Sequence, residues 1–175
     1  TSSNEQLYQD MHSTYTLSEM RGEETITATD LVKAFRAGDY KQTIALYNRS
    51  ANTGNREQFF AAISFLETGE TKKAIELFEK ISSVNQKNGG QLYQDETDYY
   101  LALALLKTGE NKKAVLLLQK IEADKEHTYN RYVTKWLIWK IKCNGINIIH
   151  ILINSLISYG HRIRINCTQP QIWLS

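Results

Sequence analysis

Proline is nearly absent from this chain, with one in 175 residues, and glycine is limited to nine. A chain so poor in breakers favours long regular elements and leaves little room for linkers. Cysteine occurs twice, at Cys143 and Cys167, too few for a disulfide framework and in no metal-ligand spacing. Acidic residues are missing altogether beyond Glu126. Residues 1–126 carry all 19 carboxylates against 15 Lys and Arg, whereas residues 127–175 carry six basic groups and no acid. Those six are dispersed among isoleucines and asparagines, so they form no dense patch and nucleic-acid binding is not expected. No apolar run reaches the ~20 residues of a spanning helix. The most apolar stretch, INIIHILINSLI, is shorter and interrupted by two Asn and a His, so insertion of this chain into a membrane is not expected. The opening TSSNEQLYQD lacks the basic head and apolar stretch of a signal peptide, and its initial Thr suggests a start further upstream.

Signs of catalysis are equally scarce. The chain has no Gly-rich phosphate loop, no His-Glu-x-x-His and no nucleophile elbow. His12, His127, His150 and His161 are scattered, with no partner one helical turn away, and nothing sets a base beside Cys143. Glu23-Glu24 and Glu67/Glu70 read as solvated charge at helix ends rather than an acid–base pair. No enzyme and no cofactor is expected.

What the chain does contain is a repeat. FFAAISFLETGETKKAIELFEKI (Phe59 to Ile81) aligns without gaps on YYLALALLKTGENKKAVLLLQKI (Tyr99 to Ile121). Ala62 matches Ala102, Leu66 matches Leu106, Thr68-Gly69-Glu70 matches Thr108-Gly109-Glu110, and Lys73-Ala74 matches Lys113-Ala114. A weaker copy, LVKAFRAGDYKQTIALYNRS (Leu31 to Ser50), places Gly38 at the equivalent position. Each copy predicts two helices around a glycine. The first helix has apolar residues at 3.6-residue spacing, the glycine supplies a left-handed helix end, and an acid (Asp39, Glu70 or Glu110) opens the second. Ala74 and Ala114 let the paired helices approach closely; Thr43 stands there in the first copy and predicts looser packing. SSVNQKNGGQLYQD reads as a long loop between the second and third copies. QLYQD occurs twice, at Gln6 to Asp10 and Gln91 to Asp95, and reads as two similar lead-ins to helices.

The small residues of the first helix, the Gly before the second, the Ala five residues later and the aromatic or Leu four beyond (Tyr47, Phe78, Leu118) resemble the tetratricopeptide repeat, a helix–turn–helix unit of about 34 residues. The resemblance covers roughly Thr25 to Ile121. It departs in spacing and in lacking the Pro that often closes such a repeat. More narrowly, NEQLYQDMHSTYTLSEMRGE and ETDYYLALALLKTGE resemble the extramembrane repeat domain of certain bacterial single-span inner-membrane proteins. Arg21-Gly22 fits their lead-in and the usual prolines do not, while Tyr99 stands where Trp is frequent.

The resemblance implies an all-α fold, an α-α superhelix of antiparallel helix pairs. It also implies a periplasmic location with an anchor upstream, a cytoplasmic one being the alternative. Its implied function is a non-enzymatic scaffold that binds a peptide or protein on the concave face lined by the first helices. Self-association is compatible with the same surface. A helical wheel sets Phe59, Ile63 and Leu66 on one stripe and Tyr99, Leu103 and Leu106 on the next, bordered by charged residues. The expected partner-binding residues are Arg36, Arg56, Phe59, Glu67, Tyr99 and Lys107; the competing reading of the apolar ones is ordinary inter-helix core. The second function class is a small-ligand or glycan-binding helical protein, similar to the repeat core of nutrient-binding lipoproteins, which are longer and begin with a lipidated Cys.

The chain thus divides into a lead-in at 1–24, a helical repeat domain at 25–142 of about three repeats plus a closing helix, and an atypical tail at 143–175. From Trp136 onward, enrichment in Ile, Asn and Lys without acids matches what a shifted frame of an AT-rich coding sequence produces. The tail is expected either to be non-native in that sense or to pack its Ile-rich face on the last repeat as a cap.

Overall fold

The structure, a computed structural model, describes residues 3–12, 29–51 and 53–144. These form eight α-helices and one 3-10 turn, with no strand among the described residues. The helices are α1 (Asn4–Met11), α2 (Asp30–Arg36), α3 (Tyr40–Arg49), α4 (Asn55–Glu67), α5 (Thr71–Asn88), α6 (Gln94–Lys107), α7 (Asn111–Ala123) and α8 (Lys135–Asn144). From α2 to α8 each helix whose neighbour is joined by a tight turn packs on it, giving the hairpins α2–α3, α4–α5 and α6–α7. Adjacent hairpins pack through α3 on α4, α5 on α6 and α7 on α8, and α2 also touches α4, as α4 touches α6.

The three turn glycines close these hairpins identically. Gly38, Gly69 and Gly109 have φ of 72°, 85° and 83°. Around each, two backbone bonds satisfy the carbonyls the helix end would otherwise orphan. Glu70 N–H donates to Phe65 O at 2.8 Å and Gly69 N–H to Leu66 O at 3.2 Å. Glu110 and Gly109 repeat the pair onto Leu105 and Leu106, and Asp39 and Gly38 repeat it onto Ala34 and Phe35. This is the Schellman arrangement, which needs a left-handed residue at the glycine. The acids that follow act differently. Asp39 accepts from the Gln42 amide as a side-chain cap, while Glu70 and Glu110 turn outward to Lys73 and Lys113, 2.7 Å away in each case.

Ala74 and Ala114 are fully buried at the hairpin crossings. Thr43 is fully buried as well, and its hydroxyl donates to Asp39 O at 2.8 Å, so the first copy bears no buried polar penalty there. The expected long loop is shorter than its sequence suggests. Residues 82–88 continue α5, because no breaker occurs before Asn88, and the chain leaves the helix at Gly89 with φ 64°. Asn85, inside that extension, is 3 % exposed and ties down the remaining loop. Its amide donates to Leu92 O and Gln94 Oε1, both at 3.0 Å, and its oxygen accepts from Asn55 Nδ2 at 2.8 Å.

The two QLYQD segments do not share a structure. The first lies within α1, with Leu7 and Tyr8 buried. The second is mostly turn: Leu92 is exposed and Tyr93, at φ 58°, caps α6. Tyr93 adopts that strained backbone because its ring stacks on Phe59 at 4.8 Å and 7°. Tyr129, in the loop after α7, stacks in the same way on Tyr99 at 4.4 Å and 10°. Each of these inter-hairpin loops therefore covers the aromatic residue at the equivalent place of the preceding copy with a tyrosine.

Leu137, Ile138 and Ile141 of α8 are buried, so the closing helix covers α7 with an apolar stripe. The tail beyond Asn144, with its expected cap, lies outside the described residues.

The Gly69 position is open, with nothing within 4 Å of an added Cβ, so a substitution there tests backbone conformation alone. Gly69→Ala is expected to lower folding stability by about 1–2 kcal/mol in urea titration, with no change in helical circular dichroism at low denaturant.

Candidate functional site

The first helix settles where partner binding was expected. α1 begins at Ser3, whose hydroxyl accepts from the Gln6 amide, and it is only eight residues long. An isolated helix of that length is marginal in water, so its order comes from what it packs on. It lies against α6 and α8 and reaches the end of α4. Leu7 and Tyr8, adjacent in sequence, are both buried there. Fixed polar contacts hold its length. Asn4 and Asn111 exchange amide hydrogen bonds of 2.9 and 3.3 Å, and the Tyr99 hydroxyl donates to Met11 O at 2.8 Å. His12 Nε2 lies 3.0 Å from Glu67 Oε1, and Lys140 Nζ 3.7 Å from Asp10 Oδ2. The Tyr8 ring sits between the Lys107 ammonium, 4.4 Å from its centroid, and the His12 ring stacked at 4.8 Å. A cation over a tyrosine face adds roughly 0.5–2 kcal/mol, depending on desolvation.

Three of the six residues expected to bind a partner, Glu67, Tyr99 and Lys107, are thus brought together, and the occupant they contact is α1 of the same chain. The other three are elsewhere. Phe59 is fully buried among Phe60, Phe78, Tyr93 and Tyr100, so it is core and presents no surface to a partner. Arg56 is half-buried with Glu57 at 2.9 Å, and Arg36 is exposed at the end of α2. Tyr99 is itself 3 % exposed: its ring belongs to the core and only its hydroxyl edge serves the seat. Asn111, Lys140 and α1 itself escaped the sequence reading. The available signal was α6, whose run from Thr97 to Leu106 is buried without interruption and is apolar around most of its circumference. A helix of that kind needs cover on every side.

The phenols of the seat are neutral over the ordinary pH range. Burial first, then the charges of Glu67 and Glu5, pushes Tyr8 well above the usual tyrosine value. Burial, followed by the neighbouring Tyr132, pushes Tyr99 up to about 12.

A second concavity, a groove of about 640 Å³, lies between α5, α6 and α7. Ser82, Asn85, Gln91, Gln94, Asp98 and Lys120 are among its lining residues. Its Asp98, 5 % exposed, accepts from Lys120 at 2.7 Å and from Gln94 at 2.8 Å. No group of three or more His, Cys, Asp or Glu suited to a metal occurs among the described residues, and none of their helices is long and apolar enough to cross a membrane.

No family model, curated protein or solved structure matches the chain.

A Tyr99 phenol that ionises at 10 in the unfolded chain and at about 12 in the folded one, chiefly because burial disfavours its anion, leaves the fold at full stability below pH 10. As pH rises from 10 through 12 the fold loses on the order of 2–3 kcal/mol through this group. Tyr99→Phe removes this pH dependence together with the bond to Met11 O. The variant is therefore expected to be about 1 kcal/mol less stable than wild type at pH 8. It should show a smaller further loss than wild type at pH 11, by urea titration at both values.

Proposed function

We propose that the chain is a non-enzymatic interaction scaffold of the tetratricopeptide class that receives a helical segment of a protein partner on the face formed by α4, α6 and α8. One observation carries this reading: that face already holds a short amphipathic helix, α1, through two buried side chains and a ring of polar contacts. The repeated glycine-closed hairpins supply the rigid backing such a face requires, and the resemblance to bacterial extramembrane repeat domains supplies a periplasmic setting. Lys107 and Glu67 border the seat with opposite charge and give it polarity along an incoming helix. The test is affinity capture from a bacterial envelope extract with wild type and Lys107→Glu. The wild type is expected to retain a defined protein that the charge reversal loses at least tenfold. Capture of nothing, or of the same set by both, sinks the proposal.

Glycan binding is favoured by one separate feature, the groove beside Asn85 and Gln94, whose lining amides and hydroxyls suit sugar hydroxyls. Stabilisation in a thermal-shift screen with millimolar oligosaccharides, abolished by Gln94→Ala, is the result that supports it. Unshifted melting throughout removes it.

A further inference from the structure

Proposed binding on the α4–α6–α8 face leaves open what the partner looks like and why α1 is there. We infer that α1 is a displaceable place-holder, and that the natural ligand of this face is a helix from another protein carrying α1's own recognition pattern. This inference rests on the scaffold reading.

The pattern is read from the contacts. An adjacent Leu–aromatic pair fills the apolar seat, as Leu7 and Tyr8 do. A side-chain amide one turn earlier meets Asn111, as Asn4 does at 2.9 Å. A cationic or imidazole group one turn later meets Glu67, as His12 does at 3.0 Å. The aromatic ring lies under Lys107, and an acid two positions after it faces Lys140. The ligand is therefore an amphipathic helix whose polarity runs from amide to cation, with the aromatic between.

Displacement follows from the smallness of α1. It is eight residues long and buries two side chains, while Gln6, Gln9 and Asp10 remain exposed. As part of the same chain, α1 competes at an effective concentration on the order of millimolar. A second copy of this chain offers only the same contacts without that advantage, so exchange between copies does not compete at micromolar concentrations. A helix from another protein, not confined to the eight residues of α1, is the occupant that displaces it.

The experiment uses the isotopically labelled full chain and an unlabelled peptide of residues 3–12, SNEQLYQDMH, followed by amide shifts of Tyr99 to Lys107 in two-dimensional NMR. Leu7→Asp in the chain removes the internal competitor while leaving every receptor residue intact. Because α1 stays seated, its intrinsic dissociation constant lies below the effective concentration. The Leu7→Asp chain is accordingly expected to bind the peptide several-fold more tightly than wild type, and a peptide carrying Tyr8→Ala to lose binding. His12→Ala, which loosens α1 by removing the Glu67 contact and the ring stacked on Tyr8 while leaving Leu7 and Tyr8 in place, gives a smaller gain and serves as the readout if Leu7→Asp melts the fold. Equal affinity in wild type and the folded α1 variants, or no shift at millimolar peptide in any of them, overturns the inference. That outcome leaves the scaffold reading standing if envelope capture still depends on Lys107.

Discussion

The structure depends on the need to cover α6. Its residues from Thr97 to Leu106 are buried without a break, so it has no solvent face to spare. α7 packs on it within the same hairpin and α5 from the preceding one, α4 touches it along the stack, and α1 covers the side that remains. In the preceding copies α2 and α4 pack directly on the following first helix; at the last step α1 lies against both α6 and α8. The seat is thus where the regular stacking of first helices is completed by a segment from outside the repeats. Covering a continuous apolar stripe avoids an exposed patch of the kind that drives association.

Stacking itself rests on two devices that recur with the repeat. The Schellman turns at Gly38, Gly69 and Gly109 fix the angle at which each second helix returns. The tyrosines of the following loops then fill the space above the aromatic residues of α4 and α6, as Tyr93 does on Phe59 and Tyr129 on Tyr99. Tyr93 accepts a left-handed backbone to do so, which costs on the order of 1 kcal/mol and is offset by ring stacking and burial. The polar chain Asn55–Asn85–Gln94–Asp98–Lys120 crosses the same region and satisfies groups that the long α5 would otherwise leave buried and unpaired.

Much of this was legible in the sequence, and the failures have physical causes. The gapless match of Phe59 to Ile81 with Tyr99 to Ile121 gave the helix pairs and the left-handed glycines, because periodicity and turn chemistry are local signals. The end of α5 was misplaced, since Ser82 to Asn88 looks loop-like by composition while Asn85 stabilises the helix through bonds to residues seven and nine positions on. A helical wheel found the stripe but could not separate surface from core. Phe59 and Tyr99 occupy the same wheel position, and both are buried by loop tyrosines that no wheel includes. α1 was missed for a further reason. It spans only eight residues, too few for periodicity to mark a helix, and its order arises from contacts made roughly 55 to 107 residues away in sequence.

Those long-range contacts decide what the seat can be. Leu7 and Tyr8 alone would make α1 ordinary hydrophobic cover, equally good in several registers. The Asn4–Asn111 pair, the Tyr99 bond to Met11 O and the His12–Glu67 contact are directional, and together they set one register and one polarity. Directional contacts add little to net stability, because each replaces bonds to water, but a wrong register leaves them unmade and partly buried. The charged groups of α4 and α6 identified from the sequence, Glu67 and Lys107, take part in fixing that register through His12 and the Tyr8 ring.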